Sequence, residues 1–175
     1  MMVRQFEQVA LPLYQQQKQT SPVAQKLSLL EWVTLSSIVE KESVIAQERP
    51  LIAGVFWNRL QQNIALGSDP TVEYGLGIRQ TAEQPLTYAQ VNTPSPYNTY
   101  VNVGLPPGPI ASPASASFKA TLKPTRTDYL YFVARYDGTH VFSRTLAEHL
   151  AAQDRIHDRR EQQQASPSPS PAASP

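Results

Sequence analysis

Apolar residues recur at helical spacing through the first sixty positions of this chain. Val3, Phe6, Val9, Ala10, Leu13 and Tyr14 stand at i, i+3 and i+4, the stripe of an amphipathic helix, with Pro12 expected to kink or interrupt it. Ser28-Leu-Leu-Glu31 is a capping box, in which each side chain can satisfy the other's orphan backbone N–H, and it predicts a helix from Ser28 to about Ile45. Pro50 suits the first position of a further helix, whose buried stripe is Ile52, Val55, Phe56 and Leu60 and which should end near Asn63.

The pattern then breaks. From Gly67 to Pro113 the chain is rich in Gly, Pro, Asn and Ser, with short apolar pieces around Val72-Glu73-Tyr74 and a helical turn expected at Thr87 to Val91. Long irregular stretches inside a domain are commonly functional, and Tyr74, Tyr88, Tyr97 and Tyr100 favour an ordered one. Ser112-Pro113 reads as an N-cap with Pro at N1, opening a short helix through about Leu122 that Lys123-Pro124 ends. Tyr129 to Arg135 and Thr139 to Ser143 flank Asp137-Gly138, a β-hairpin signal because both turn residues tolerate positive φ. Thr145-Leu-Ala-Glu148 is a second capping box and predicts a charged helix from Leu146 towards Arg160. The class is therefore α+β, helices packed around a small antiparallel sheet with a C-terminal β-hairpin followed by a helix.

Composition sharpens this outline. With 175 residues, 41% of them apolar, the chain can build one core. Residues 165–175 contain only Ala, Ser and Pro, which cannot bury enough apolar area to offset ordering. The expected division is an N-terminal helix and linker region over 1–27, a globular domain over 28–160 and a disordered Gln/Ala/Ser/Pro tail over 161–175. Fifteen Lys and Arg against 14 Asp and Glu leave a net charge of +1, so no nucleic-acid partner is expected. The absence of Cys excludes disulfides, thiolate nucleophiles and Cys-ligated metals. His140, His149 and His157 lack the spacing of a metal motif, so no metal is expected either. No apolar run approaches the ~18 residues of a membrane span, and no signal sequence or membrane anchor is read in the chain.

Glu40 and Glu42 are the first candidates for chemistry. On one helix they project about 200° apart, so at most one should be enclosed. Glu40 is flanked by Val33, Ser36, Ser37, Ser43 and Val44, while Glu42 shares its flank with Glu31 and with Ile38, Val39 and Ile45. The face without another charge favours Glu40 as the enclosed carboxyl, with a raised pKa that lets it hold a proton for a leaving-group oxygen. A solvated helix end with weak local pairs fits the same spacing. Tyr97-Asn-Thr-Tyr100 followed by Gly104-Leu-Pro-Pro-Gly108 is either a rigid loop or a sugar-binding wall, with phenol rings for pyranose faces. Asp69 either caps a turn or hydrogen-bonds a substrate or the acid.

Taken in series, Ser37-Ile-Val-Glu-Lys-Glu42, Glu48-Arg49, Val55-Phe-Trp-Asn-Arg-Leu60, Ser68-Asp-Pro-Thr-Val72 with Tyr74-Gly75, Ser95-Pro-Tyr-Asn-Thr-Tyr100, Gly104-Leu-Pro-Pro-Gly-Pro-Ile110 and Tyr129-Leu-Tyr-Phe-Val133 with His140 and Phe142 resemble the YceG-like endolytic murein transglycosylases, the MltG family. The resemblance covers about Leu30 to His149. It implies that residues 28–160 are a catalytic domain that cleaves the β-1,4 bond between N-acetylmuramic acid and N-acetylglucosamine, leaves a 1,6-anhydro end and needs no cofactor. It also implies Glu40 as acid and then base, and Asp69, Thr71, Tyr97, Asn98, Thr99, Tyr100 and His140 as substrate-binding residues. Peptidoglycan glycan strands would be the substrate and the cell-wall synthesis machinery a partner, on the extracytoplasmic face of the inner membrane. Any membrane contact would run through an anchor that this chain does not show.

Three departures from the family pattern stand out. Gly67 replaces a common Gln, Ser112 and Ala114 replace Asn and Gly, and neither an N-terminal membrane helix nor a LysM-like subdomain is read here. Two other readings stay open: a noncatalytic glycan-binding or scaffold module, and a hydrolase that pairs Glu40 with Asp69 or Glu73 as second carboxylate.

Overall fold

The Ser28 capping box closes as its sequence predicts. The Ser28 hydroxyl accepts the Glu31 N–H at 3.3 Å and the Glu31 carboxylate accepts the Ser28 N–H at 2.8 Å. The computed structural model of the chain describes residues 6–81 and 83–165, the last three as backbone alone. A π-helical turn, Phe6–Ala10, leads into α1 (Leu11–Gln17), α2 (Pro22–Lys26), α3 (Leu29–Glu42), α4 (Arg49–Gln61), α5 (Asp69–Leu76), α6 (Tyr88–Val91) and α7 (Ser115–Leu122). Strands β1 (Tyr131–Ala134) and β2 (His140–Ser143) pair antiparallel, Tyr131 opposite Ser143 and Ala134 opposite His140, and α8 (Leu146–Ala165) follows. This is the α+β class expected, with helices around a small antiparallel sheet and a helix after the hairpin.

The core forms where α3, α4 and α7 meet. Trp32, Leu35, Ile38 and Val39 of α3 and Ile52 and Phe56 of α4 are fully buried, with Phe118 and Leu122 of α7 packed among them. Trp32 sits at the junction, its ring 4.7 Å from that of Phe118 and 5.2 Å from that of Tyr14, and its indole N–H donates to Thr121 Oγ1 at 2.9 Å. A buried aromatic with its polar atom satisfied is worth about 3–5 kcal/mol against truncation to Ala. Gly54 lets α4 approach the segment after α7, because a Cβ there would run into the Thr125 carbonyl.

Several elements depart from the sequence expectation for physical reasons. The helix α3 stops at Glu42, three residues before Ile45, where Ser43 turns extended at φ −100°, ψ 112°. The helix α7 starts at Ser115, after Pro113, and its N-cap residue Ala114 has no side-chain cap; a glutamate from α3 supplies the acceptor instead. Residues 69–76, expected to be irregular, form α5, started by Asp69-Pro70 and ended by Gly77 in the left-handed region at φ +66°. In the hairpin it is Tyr136 (φ +65°) and Gly138 (φ +88°) that adopt positive φ, while Asp137 accepts the N–H and hydroxyl of Thr139. The last helix runs to Ala165 and not only towards Arg160. Val3 of the first stripe and residues 166–175 of the expected tail lie outside the described residues.

Candidate active site

Glu42 is the last residue of α3, and this position decides its surroundings. Its Oε1 accepts the Ser68 hydroxyl at 2.6 Å, and the segment leading into α5 brings Asp69 and Glu73 alongside. Burial pushes the Glu42 carboxyl up to about 7, against the lowering effect of the Ser68 hydrogen bond and with a further rise from the charges of Asp69 and Glu73. The group lines a cleft of about 950 Å³ that also takes in Arg59, Asp69, Glu73, Tyr100 and Tyr131. A carboxyl with its pKa near 7 is poised to give a proton and then to take one back.

Ser68 is held by buried hydroxyls. Thr71 Oγ1 donates to the Ser68 carbonyl at 2.6 Å and meets Thr99 Oγ1 at 2.8 Å, and Thr99 Oγ1 accepts the Ser68 N–H at 3.0 Å. Asn98 fixes the loop that carries Thr99, donating through Nδ2 to the Val91 and Thr93 carbonyls at 2.8 Å each and accepting the Tyr100 N–H at 2.9 Å. Tyr100 then reaches back across the cleft floor, and its hydroxyl donates to Asp69 Oδ1 at 2.6 Å. Burial and the neighbouring Asp69 carboxylate push the Tyr100 phenol up, so it stays a donor. The other Asp69 oxygen accepts Gln80 Nε2 at 3.2 Å, and the Gln80 N–H donates to Glu73 Oε1 at 2.7 Å.

Arg59 is a strut of the cleft wall. It donates to the Leu130, Ala65 and Leu66 carbonyls at 2.5, 2.9 and 3.0 Å and lies 4.8 Å from the Tyr131 ring centroid, with burial pushing its pKa down. His149 stacks on Tyr131 at 5.3 Å, and burial, helped by the Arg59 charge, lowers its pKa.

Glu40, expected to be the enclosed acid, is elsewhere. Its Oε2 accepts the Ala114 N–H at 3.1 Å and the Ser117 hydroxyl at 2.5 Å, so it caps α7 and does not line the cleft. Neighbours within α3 do not decide which acid is at the cleft, because the wall beside Glu42 comes from Ser68 and Asp69, outside that helix. Of the seven residues expected to bind substrate, Asp69, Tyr100 and His140 line the cleft. Thr71, Asn98 and Thr99 are buried beneath it, and Tyr97 packs against Tyr74 at 4.7 Å. His140 is buried, its Nδ1 2.7 Å from Glu48 Oε2 and its N–H on Glu48 Oε1, a pairing that ties β2 to the residue before α4. Ser68, Arg59, Gln80 and Tyr131 belong to the site as well, and among them the Ser68-Asp-Pro segment is the one signal that the sequence offers. A second cavity, about 810 Å³ between Phe6, Val33, Phe118 and the 109–115 loop, has apolar walls and holds none of these groups.

The family described as YceG-like matches residues 1–155. An endolytic murein transglycosylase of Bacillus subtilis (strain 168) is 42% identical over 130 residues, which cover 74% of this chain and 35% of that protein. One of Streptococcus pneumoniae is 36% identical over 140 residues, covering 73% of this chain and 25% of that protein. The 2.6 Å crystal structure of a yceG-like protein from Listeria monocytogenes superposes with a TM-score of 0.73 at 42% identity, over 81% of this chain and 44% of that one. The chain thus spans a quarter to about a third of the curated relatives it matches.

Proposed function

The chain belongs to the YceG-like family, and from that membership we propose that it is the catalytic domain of an endolytic peptidoglycan lytic transglycosylase, with Glu42 in the role the sequence had suggested for Glu40. The observation that carries the reading is the half-buried Glu42 carboxyl, hydrogen-bonded by Ser68 and raised to about 7, on the wall of the cleft. The protonated Glu42 gives its proton to the glycosidic oxygen between N-acetylmuramic acid and N-acetylglucosamine as the C1–O bond breaks. The resulting carboxylate, steadied by the Ser68 hydroxyl, takes the proton of the muramic acid 6-hydroxyl as that oxygen bonds to the anomeric carbon. The carboxyl is restored, no water is consumed, and a 1,6-anhydro end remains.

Burial, with a smaller contribution from the Asp69 and Glu73 charges, keeps a large share of Glu42 protonated near neutral pH, and Asp69 aligns the Tyr100 ring beside the sugar path. Both Asp69 oxygens already accept hydrogen bonds, an arrangement that suits a positioning group better than a nucleophile or water-activating base. By the same membership the substrate is wall glycan outside the plasma membrane and the wall-synthesis machinery a partner. Among the described residues no helix is long and apolar enough to cross a membrane.

Incubation with peptidoglycan glycan strands, read by mass spectrometry, tests the proposal. Wild type and Glu40→Gln should yield 1,6-anhydromuramyl ends and Glu42→Gln none. Reducing ends in their place would favour the two-carboxylate hydrolase. Turnover by Glu42→Gln would remove this residue from the chemistry, and no product from folded wild type would leave a glycan-binding module.

A further inference from the structure

The cleft does not end at the acid. It continues along β1 and the hairpin turn to α8, where Tyr136, Leu146, His149, Gln153 and Arg160 line it. On α8 these positions recur at steps of three, four and seven, so they share one helical face, and from Leu146 to Arg160 that face extends about 21 Å. A wall of this length accompanies several pyranose rings, which an enzyme that cuts inside a strand must hold on both sides of the bond.

Tyr136 is the unexplained residue on this wall. It is 65% exposed, and its backbone sits at φ +65°, a conformation that costs a bulky L-residue about 1–2 kcal/mol. The turn does not require an aromatic there, since Gly138 and the Asp137–Thr139 hydrogen bonds make the reversal and Asn or Gly would fit position 136 with less strain. Strain retained at an exposed aromatic in a cleft points to use. The Arg160 guanidinium lies over the Tyr136 ring at 4.5 Å from its centroid, which braces the phenol from α8. Arg160 lies beyond residue 155, where the family match ends.

We infer that Tyr136, braced by Arg160, is a distal glycan subsite whose ring stacks on the apolar face of a sugar several rings from the bond that is cleaved. The inference rests on the glycan-cleft reading above. It makes the hairpin turn and the far half of α8 a measure of strand length, so that long, uncut strands bind better than short fragments.

The test is calorimetric titration of the full chain carrying Glu42→Gln, so that nothing is cleaved, with peptide-free peptidoglycan tetrasaccharide and octasaccharide. The octasaccharide should bind more tightly than the tetrasaccharide. Adding Tyr136→Asn should weaken octasaccharide binding about three- to tenfold, the worth of one aromatic contact, and leave the tetrasaccharide unchanged. Tyr136→Trp should keep the octasaccharide advantage. Asn tolerates the left-handed region, so the thermal midpoint of that variant should equal or exceed its parent's. Full octasaccharide affinity in Tyr136→Asn, equal loss for both lengths, or no length dependence in the parent would each overturn the subsite. A folded parent that binds neither oligosaccharide would instead overturn the glycan reading of the cleft, and the subsite with it.

Discussion

Glu42→Gln should stabilise the protein at alkaline pH and not at acid pH. Glu42 has an ordinary carboxyl value of 4.5 when unfolded and about 7 when folded, so between these values the folded state binds more protons than the unfolded one. Stability therefore falls as pH rises through this window, and the loss is complete above about 7. At about 1.4 kcal/mol per pH unit, the difference corresponds to roughly 3 kcal/mol. Gln keeps an oxygen for the Ser68 hydroxyl but never ionises, so it escapes that loss. For a domain of this size roughly 3 kcal/mol is about 6–12 °C in the thermal midpoint. Differential scanning calorimetry of both proteins at pH 5 and pH 8.5 checks this. The gap between them should open by several degrees on going to the higher pH. A gap that is the same at both pH values would refute the claim that burial raises the Glu42 carboxyl in the folded protein.

Ser68→Ala removes the donor to Glu42 Oε1, and with it a hydrogen bond to a carboxylate worth about 1.5–3 kcal/mol, so the alkaline limb of the kcat/KM profile should move up by about one to two pH units; an unmoved limb would show that the hydroxyl does not set this proton's affinity. Tyr100→Ala should lower kcat/KM on glycan strands by about tenfold with the thermal midpoint nearly unchanged, because the ring faces the cleft and the loop is held by Asn98; a large loss of stability would make Tyr100 a packing residue. Gly54→Ala sets a methyl against the Thr125 carbonyl and should cost about 1–3 kcal/mol in urea unfolding; a neutral result would mean that α4 and the 123–127 segment part freely.

Local signals carried the elements well and the site only in part. The Ser28 and Thr145 capping boxes form, and the strands flanking Asp137-Gly138 pair, because each is decided by neighbours within a few residues. The helix at Asp69–Leu76 was hidden by its glycines, which read as turn residues although Gly77 only ends it. The residues of the motifs do converge, yet Thr71, Asn98 and Thr99 serve the site from below. Nothing in their type distinguishes a hydroxyl that touches sugar from one that holds Ser68. Their burial is a tertiary fact.

The same limit explains the exchange between Glu40 and Glu42. Two residues apart on α3, they face the ends of two different helices. Glu40 reaches the start of α7, whose free N–H at Ala114 and hydroxyl at Ser117 give an acceptor what it needs, so the carboxylate is spent on structure. Glu42 closes α3 itself, where burial against the segment leading into α5 disfavours its charged form and the charges of Asp69 and Glu73 add to that. One donor, Ser68, offsets them in part. The helix stops at Ser43, where the backbone turns extended, so the acid that lines the cleft stands on the last turn of α3, a boundary that the apolar stripe does not mark.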